Sequence, residues 1–267
     1  MQLSSDTLMN SSKSSLLLLI VGLVPGSLTA QVVLSGTSYS EDFDDLGSGL
    51  PSGWSVTTNA SPSGLGDSSS ITTSAVRWGA ANSSGLFRNS SSSSIDSSSS
   101  TDDQSANSDR ALGWRPSLAA ERDGAILLTV QNTLGLENFN LSLSVFTFND
   151  VAASATYALE YRVGEAGNFT QVGSTYNTGT EFSQTDYSVN SVTLSAMNDQ
   201  SDTVYIRLRG TTSSGTGALD GVGIDNFSLT YSAVPEPSSF AALIGLGALG
   251  MVATRRRRQK PAGALSA

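Results

Sequence analysis

Histidine and cysteine occur nowhere in the chain. Their absence removes the imidazole and thiolate that most nucleophile, general-base and zinc schemes depend on. It also excludes disulfide stapling. Since many exported proteins carry no cysteine, the compartment has to be read from the ends of the chain instead. Basic residues are scarce as well: between Gln31 and Pro237 there are 22 acidic residues against 8 basic ones, a net of −14. Phosphate binding needs clustered Lys and Arg on one face, so the balance argues against nucleic acid as a partner. The balance suits a surface protein, or one that takes up divalent cations. No segment between Gln31 and Ala233 carries a helical period, which argues against a parallel α/β fold.

Both ends are apolar. Leu16 to Val24 reads LLLLIVGLV, preceded by Lys13 and followed by Pro25-Gly26-Ser27-Leu28-Thr29-Ala30. Such a run is too short to span a bilayer and has the length of a signal-peptide core. Residues 1–30 are therefore expected to be a signal peptide, cut after Ala30, with Met1 or Met9 as the initiator. At the other end Ser238 to Thr254 is an apolar run of 17 residues, followed directly by Arg255, Arg256, Arg257 and Arg258. One transmembrane helix is expected there, its arginines held on the cytoplasmic side. The G-x-G-x-x-G spelled by Gly245, Gly247 and Gly250 lacks the strand and acidic partner of a dinucleotide site. Small residues that ease helix packing in lipid explain it better.

Val234-Pro235-Glu236-Pro237, the apolar span and the arginine cluster together resemble the PEP-CTERM sorting signal, here over residues 234–260, with 261–267 as a disordered tail. The resemblance implies recognition by an exosortase, a membrane transpeptidase that removes the tail. It also implies a stay in the inner membrane before processing, then transfer to the cell surface or exopolysaccharide.

Between the ends, residues 31–233 are rich in Ser, Thr, Gly and Asn, with short β-favouring runs separated by turns, the pattern of an all-β sandwich. Alternation places Phe139, Leu141, Leu143 and Val145 on one strand face. Likewise Tyr157, Leu159, Tyr161 and Val163 face inward while Glu160 and Arg162 face water. Val204, Ile206 and Leu208, then Phe227, Leu229 and Tyr231, complete the expected inner set. The Ser-rich stretch 90–108 is read as a low-complexity surface loop because it has little apolar area to bury. Three short segments (Glu41 to Val56, Asp109 to Trp114, Ala218 to Tyr231) resemble a jelly-roll domain of exported bacterial proteins, whose relatives include carbohydrate-binding and adhesion modules.

The expected architecture is thus an all-β, jelly-roll-like antiparallel β-sandwich with a signal peptide and one C-terminal transmembrane helix. Asp42, Asp44 and Asp225, on the opening and closing strands, are candidate ligands of a structural calcium ion. Trp54, Trp78 and Trp114 are either sugar platforms or core residues. The sequence favours a non-catalytic binding or structural module associated with polysaccharide. The alternatives are a glycoside hydrolase using two carboxylates, which needs neither His nor Cys, and a matrix protein without a discrete ligand. In a host with an exosortase the released protein should have lost its tail. Mass spectrometry of surface-released material checks this, and a C-terminus intact to Ala267 would overturn the sorting reading.

Overall fold

The computed structural model describes residues 30–76, 87–92, 99–116, 122–148, 154–178, 184–212 and 219–235. The expected signal peptide up to residue 29, Trp78, the middle of the serine run and the tail from Glu236 onward lie outside the described residues.

Fourteen strands are described. In chain order they are β1 (Ser38–Glu41), β2 (Trp54–Thr58), β3 (Asp67–Ser68), β4 (Ile71–Val76), β5 (Phe87–Ser91), β6 (Arg110–Trp114) and β7 (Ala125–Val130). They continue with β8 (Leu136–Phe148), β9 (Thr156–Val163), β10 (Thr170–Gln171), β11 (Tyr176–Asn177), β12 (Gln184–Thr193), β13 (Val204–Gly210) and β14 (Gly221–Ala233). One sheet has the order β12-β8-β14-β6-β5-β4 with β1 also on β14; the other is β10-β9-β13-β7-β2-β3 with β11 also on β9. Every pairing between the described strands is antiparallel except β4 with β5, and an isolated parallel bridge joins Val32 to Val130. From β6 to β9 the chain changes sheet at each step, and it does so again at β12, β13 and β14. That crossing, with first and last strands paired, is a jelly-roll-like sandwich. The three segments that carried the sequence resemblance meet at β14, which bonds β6 along its first half and β1 along its second, on the edge away from β8.

Alternation explains the core. Phe139, Leu141, Leu143 and Val145 of β8 are buried against Val204, Ile206 and Leu208 of β13 and against Phe227, Leu229 and Tyr231 of β14. On β14 both Ile224 and Phe227 face inward, three positions apart, because a bulge between Asp225 and Ser228 adds a residue. Asn226 takes the left-handed conformation there, at φ 49°, which Asn tolerates better than most residues. Trp114 is fully buried, stacked on Phe87 at 5.6 Å and edge-on to Tyr157 at 5.1 Å. Its indole lies over Gly124 and Gly210, where any Cβ would collide with the ring.

The serine run departs from expectation. Ser90 and Ser91 are buried in β5, and a helix α1 (Thr101–Ala106) follows Ser100, whose Oγ accepts the Asp103 N–H at 3.1 Å. A serine at the N-cap satisfies an orphan amide. In β5 a small side chain is what the site needs, because Ser90 sits against Gly113 of β6. Low apolar content does not preclude strand or helix where ladder bonds and close approach carry the segment. At Gly210 a Cβ would also meet the backbone carbonyl of Arg122, which cannot swing aside. Gly210→Ala is therefore expected to destabilise the fold by about 2–3 kcal/mol, read as a lowered midpoint in denaturant unfolding.

Candidate functional site

Two open recesses and one buried charge network are the chemically distinctive places among the described residues. The first recess, of about 440 Å³, lies where the edge strands of the two sheets face each other, between the β10–β11 connection and β12. Its lining includes Val172, Tyr176, Tyr187, Ser188, Val189 and Asn190. The Tyr176 and Tyr187 rings meet edge-to-face at 5.2 Å. The Tyr187 hydroxyl donates to the Asn177 carbonyl at 3.0 Å and so ties the two edges together. Alternation along β12 sets the lining: Tyr187 and Val189 turn towards the core while Ser188 and Asn190 are exposed. The result is apolar ring surface bordered by hydroxyls and an amide, with no carboxylate among the described lining residues.

The second recess, also about 440 Å³, is lined by Ser40, Glu41, Asp42, Asn226, Phe227 and Ser228. Of the residues expected to hold calcium, Asp42 is in this lining, with Asp44 and Asp225 close by in the chain to lining residues Asp42 and Asn226. Asp42 Oδ1 accepts the Asp44 N–H at 3.2 Å, and Asp44 Oδ1 accepts the Arg110 N–H at 2.8 Å. Asp225 accepts from the Ser92 hydroxyl at 2.7 Å and from the backbone and side chain of Asn226. These carboxylates are bound by protein donors. Among the described residues no three His, Cys, Asp or Glu side chains are gathered to hold a metal.

Burial, reinforced by the Asp109 and Asp44 charges, pushes the Asp225 carboxyl up to about 6 despite its hydrogen bonds. Glu41 is raised too, again first by burial and then by Asp42 and Asp45.

The third place corrects the expectation that Glu160 and Arg162 face water. Both are buried, at 5% and 4% exposure, on the outer face of the β9–β13 sheet. Arg207 binds Glu160 Oε2 through Nε at 2.8 Å and Nη2 at 2.7 Å, and Arg209 Nη2 reaches Oε1 at 2.8 Å. Arg207 also donates to the carbonyls of Gly64 and Ser61, and Arg162 to those of Ser63 and Gly167. The loop between β2 and β3 is thereby held down as a cover. Phe169 lies beneath both guanidiniums, with Arg207 Cζ 3.4 Å and Arg162 Cζ 4.5 Å from its ring centroid. The two arginines hold Glu160 below the usual carboxylate range against the opposing effect of burial, which is the largest single influence. A carboxylate so engaged is unsuited to general acid work.

Trp54 and Trp114, considered as sugar platforms, are core residues: Trp54 packs edge-on to Phe43 at 4.9 Å and to Phe227 at 5.1 Å. The sequence reading missed Tyr176 and Tyr187. The alternating run Tyr187, Val189 was its available signal, but β11 is only two residues long and leaves no periodic trace.

A two-sheet jelly-roll-like sandwich with an open aromatic edge is the class of protein this geometry defines. Residues 233–258 match the PEP-CTERM protein-sorting motif, which marks an exported chain that is first anchored in the membrane and then processed. The matched stretch contains Val234 through Pro237 and Arg255 through Arg258. No curated protein matches the chain. Among solved structures it is similar to a xylan-binding CBM22 domain of Paenibacillus barcinonensis, at 12% identity over 74% of this chain and 95% of that one, TM-score 0.37. It is also similar to an adhesin domain of Lys-gingipain from Porphyromonas gingivalis, at 15% identity over 72% and 98%, TM-score 0.38.

The raised Asp225 fixes the sign of a pH effect. Its stabilising contribution is fully present below the unfolded value near 3.8 and is lost as pH rises through about 6, because the folded state binds the extra proton. Between pH 4 and pH 6 thermal melts should show this share of stability falling as pH rises, by about 1 kcal/mol or more. Asp225→Asn should flatten the profile in that window, and an unchanged slope would contradict the assignment.

Proposed function

We propose that the sandwich is a non-catalytic polysaccharide-binding module, displayed outside the cell through its sorting motif, and that the groove between the β10–β11 connection and β12 receives the glycan. The observation that carries this reading is the composition of the groove. Sugar rings offer C–H faces that stack on aromatic rings and hydroxyls that hydrogen-bond to polar side chains. Tyr187, half-buried and backed by the buried Tyr176 ring, supplies both together with Ser188 and Asn190 at one place, in a volume typical of ligand sites. Binding without cleavage is supported by the lack of Asp and Glu among the described lining residues, since glycoside hydrolysis needs a carboxylate pair flanking the bond. The exopolysaccharide to which the sorting reading directs the protein is the natural partner.

The test is retention of the exported protein on a panel of immobilised polysaccharides, with reducing ends assayed in parallel. Retention without release is expected, and Tyr187→Ala should weaken it about tenfold, the share of one stacking ring. Release of reducing sugar would favour the hydrolase, and no retention on any polysaccharide would favour a matrix role without a discrete ligand.

A further inference from the structure

The last strand leaves almost no slack before the membrane segment. β14 stays paired with β8 to its final residue, Ala233 opposite Leu136, and the Val234 N–H still donates to the Gly135 carbonyl at 2.8 Å. The apolar run begins at Ser238, four residues later. With Pro235 and Pro237 favouring the extended polyproline form, that stretch reaches about 12 Å. A headgroup layer is roughly 5–7 Å deep on each side of the hydrocarbon. The end of the sandwich that carries the β7–β8 turn must therefore sit at the lipid surface while the tail is in place.

That same end carries the two exposed large hydrophobic residues among those described, Val33 at 71% and Leu134 at 56% exposure. Leu134 is in the β7–β8 turn, next to Gly135. Val32 pairs in parallel with Val130, the last residue of β7, so Val33 points beyond the end of that strand as well. Single exposed apolar residues on a surface are ordinary. Two of them at the one end from which the chain enters the bilayer have a partner at hand. The polar groups around them are neutral or acidic: Asn132, Asn138, Glu137 and Asp199. That combination favours a zwitterionic lipid surface over an anionic one.

We infer that before processing the sandwich stands end-on upon the bilayer, with Val33 and Leu134 entering the interface of a zwitterionic lipid surface. This rests on the tail crossing the membrane. The glycan groove, on the side edge of the sandwich, stays clear of the lipid in that stance, and removal of the tail frees the docked end.

The absence of native cysteine makes single-site labelling direct. Full-length chains carrying Leu134→Cys, Val33→Cys or, at the opposite end of β7, Asp123→Cys are labelled with a fluorophore and reconstituted in phosphatidylcholine vesicles. Some vesicles contain a nitroxide quencher fixed at headgroup depth. Flotation with the vesicles reports the tail, and quenching reports the stance. The expected result is flotation of all three, with labels at 134 and 33 quenched roughly twofold and the label at 123, about 20 Å or more up the strand, unaffected. Flotation with all three labels equally unquenched would overturn the docking while leaving the tail in the membrane. Failure to float would overturn both.

Discussion

Glu160 is a carboxylate on the outer face of a sheet, and that face can be closed only because two guanidiniums meet it there. An uncompensated buried charge would cost several kcal/mol. Arg207 and Arg209 remove that penalty from the neighbouring strand. The remaining donors of Arg207 then reach the carbonyls of Ser61 and Gly64, so the pair also decides where the β2–β3 loop lies. Phe169 fills the space under the cations, and its N–H donates to Pro62 at 2.8 Å. One ion pair thus links strands β9 and β13 to two loops distant in sequence, and it makes this sheet a layer with a polar roof rather than a wet surface.

Arg110 does similar work at the other sheet. Its guanidinium donates to Asn89 and to the carbonyls of Gln104 and Asn107 at the end of α1. A cation suits a helix C-terminus, and here it fastens the short helix to β5 and β6. The described residues either side of the serine run are held by this clamp and by the Ser100 cap more than by apolar burial.

The inner faces of β8, β13 and β14 were legible in the sequence because alternation of apolar residues is a local signal, and burial of one face confirms it strand by strand. The outer faces were not. Whether Glu160 and Arg162 meet water depends on a loop about 100 residues earlier in the chain, which no period in TYALEYRVG can report. The bulge at Asn226 was equally hidden, since it shifts the alternation by one residue between Ile224 and Phe227. Tryptophan was open between a sugar platform and the core, and packing decides it: Trp54 is buried, and Trp114 sits over glycines at the centre. The groove drew on tyrosines from a two-residue strand and an edge strand, a juxtaposition made only by the crossing between sheets.

Between Gln31 and Pro237 all eight basic residues are arginines, and six of them, at positions 88, 110, 115, 122, 162 and 207, are buried. The positive charge of the domain is thus spent inside it, while most of its carboxylates remain at the surface. Seen from solvent, the particle is a polyanion with few exposed cations. At physiological ionic strength its field reaches about 8 Å. Within that range it repels copies of itself and acidic, uronate-bearing chains alike. A matrix that holds many such domains would stay hydrated and swollen rather than condense, and neutral glycans would reach the tyrosine edge without an electrostatic barrier.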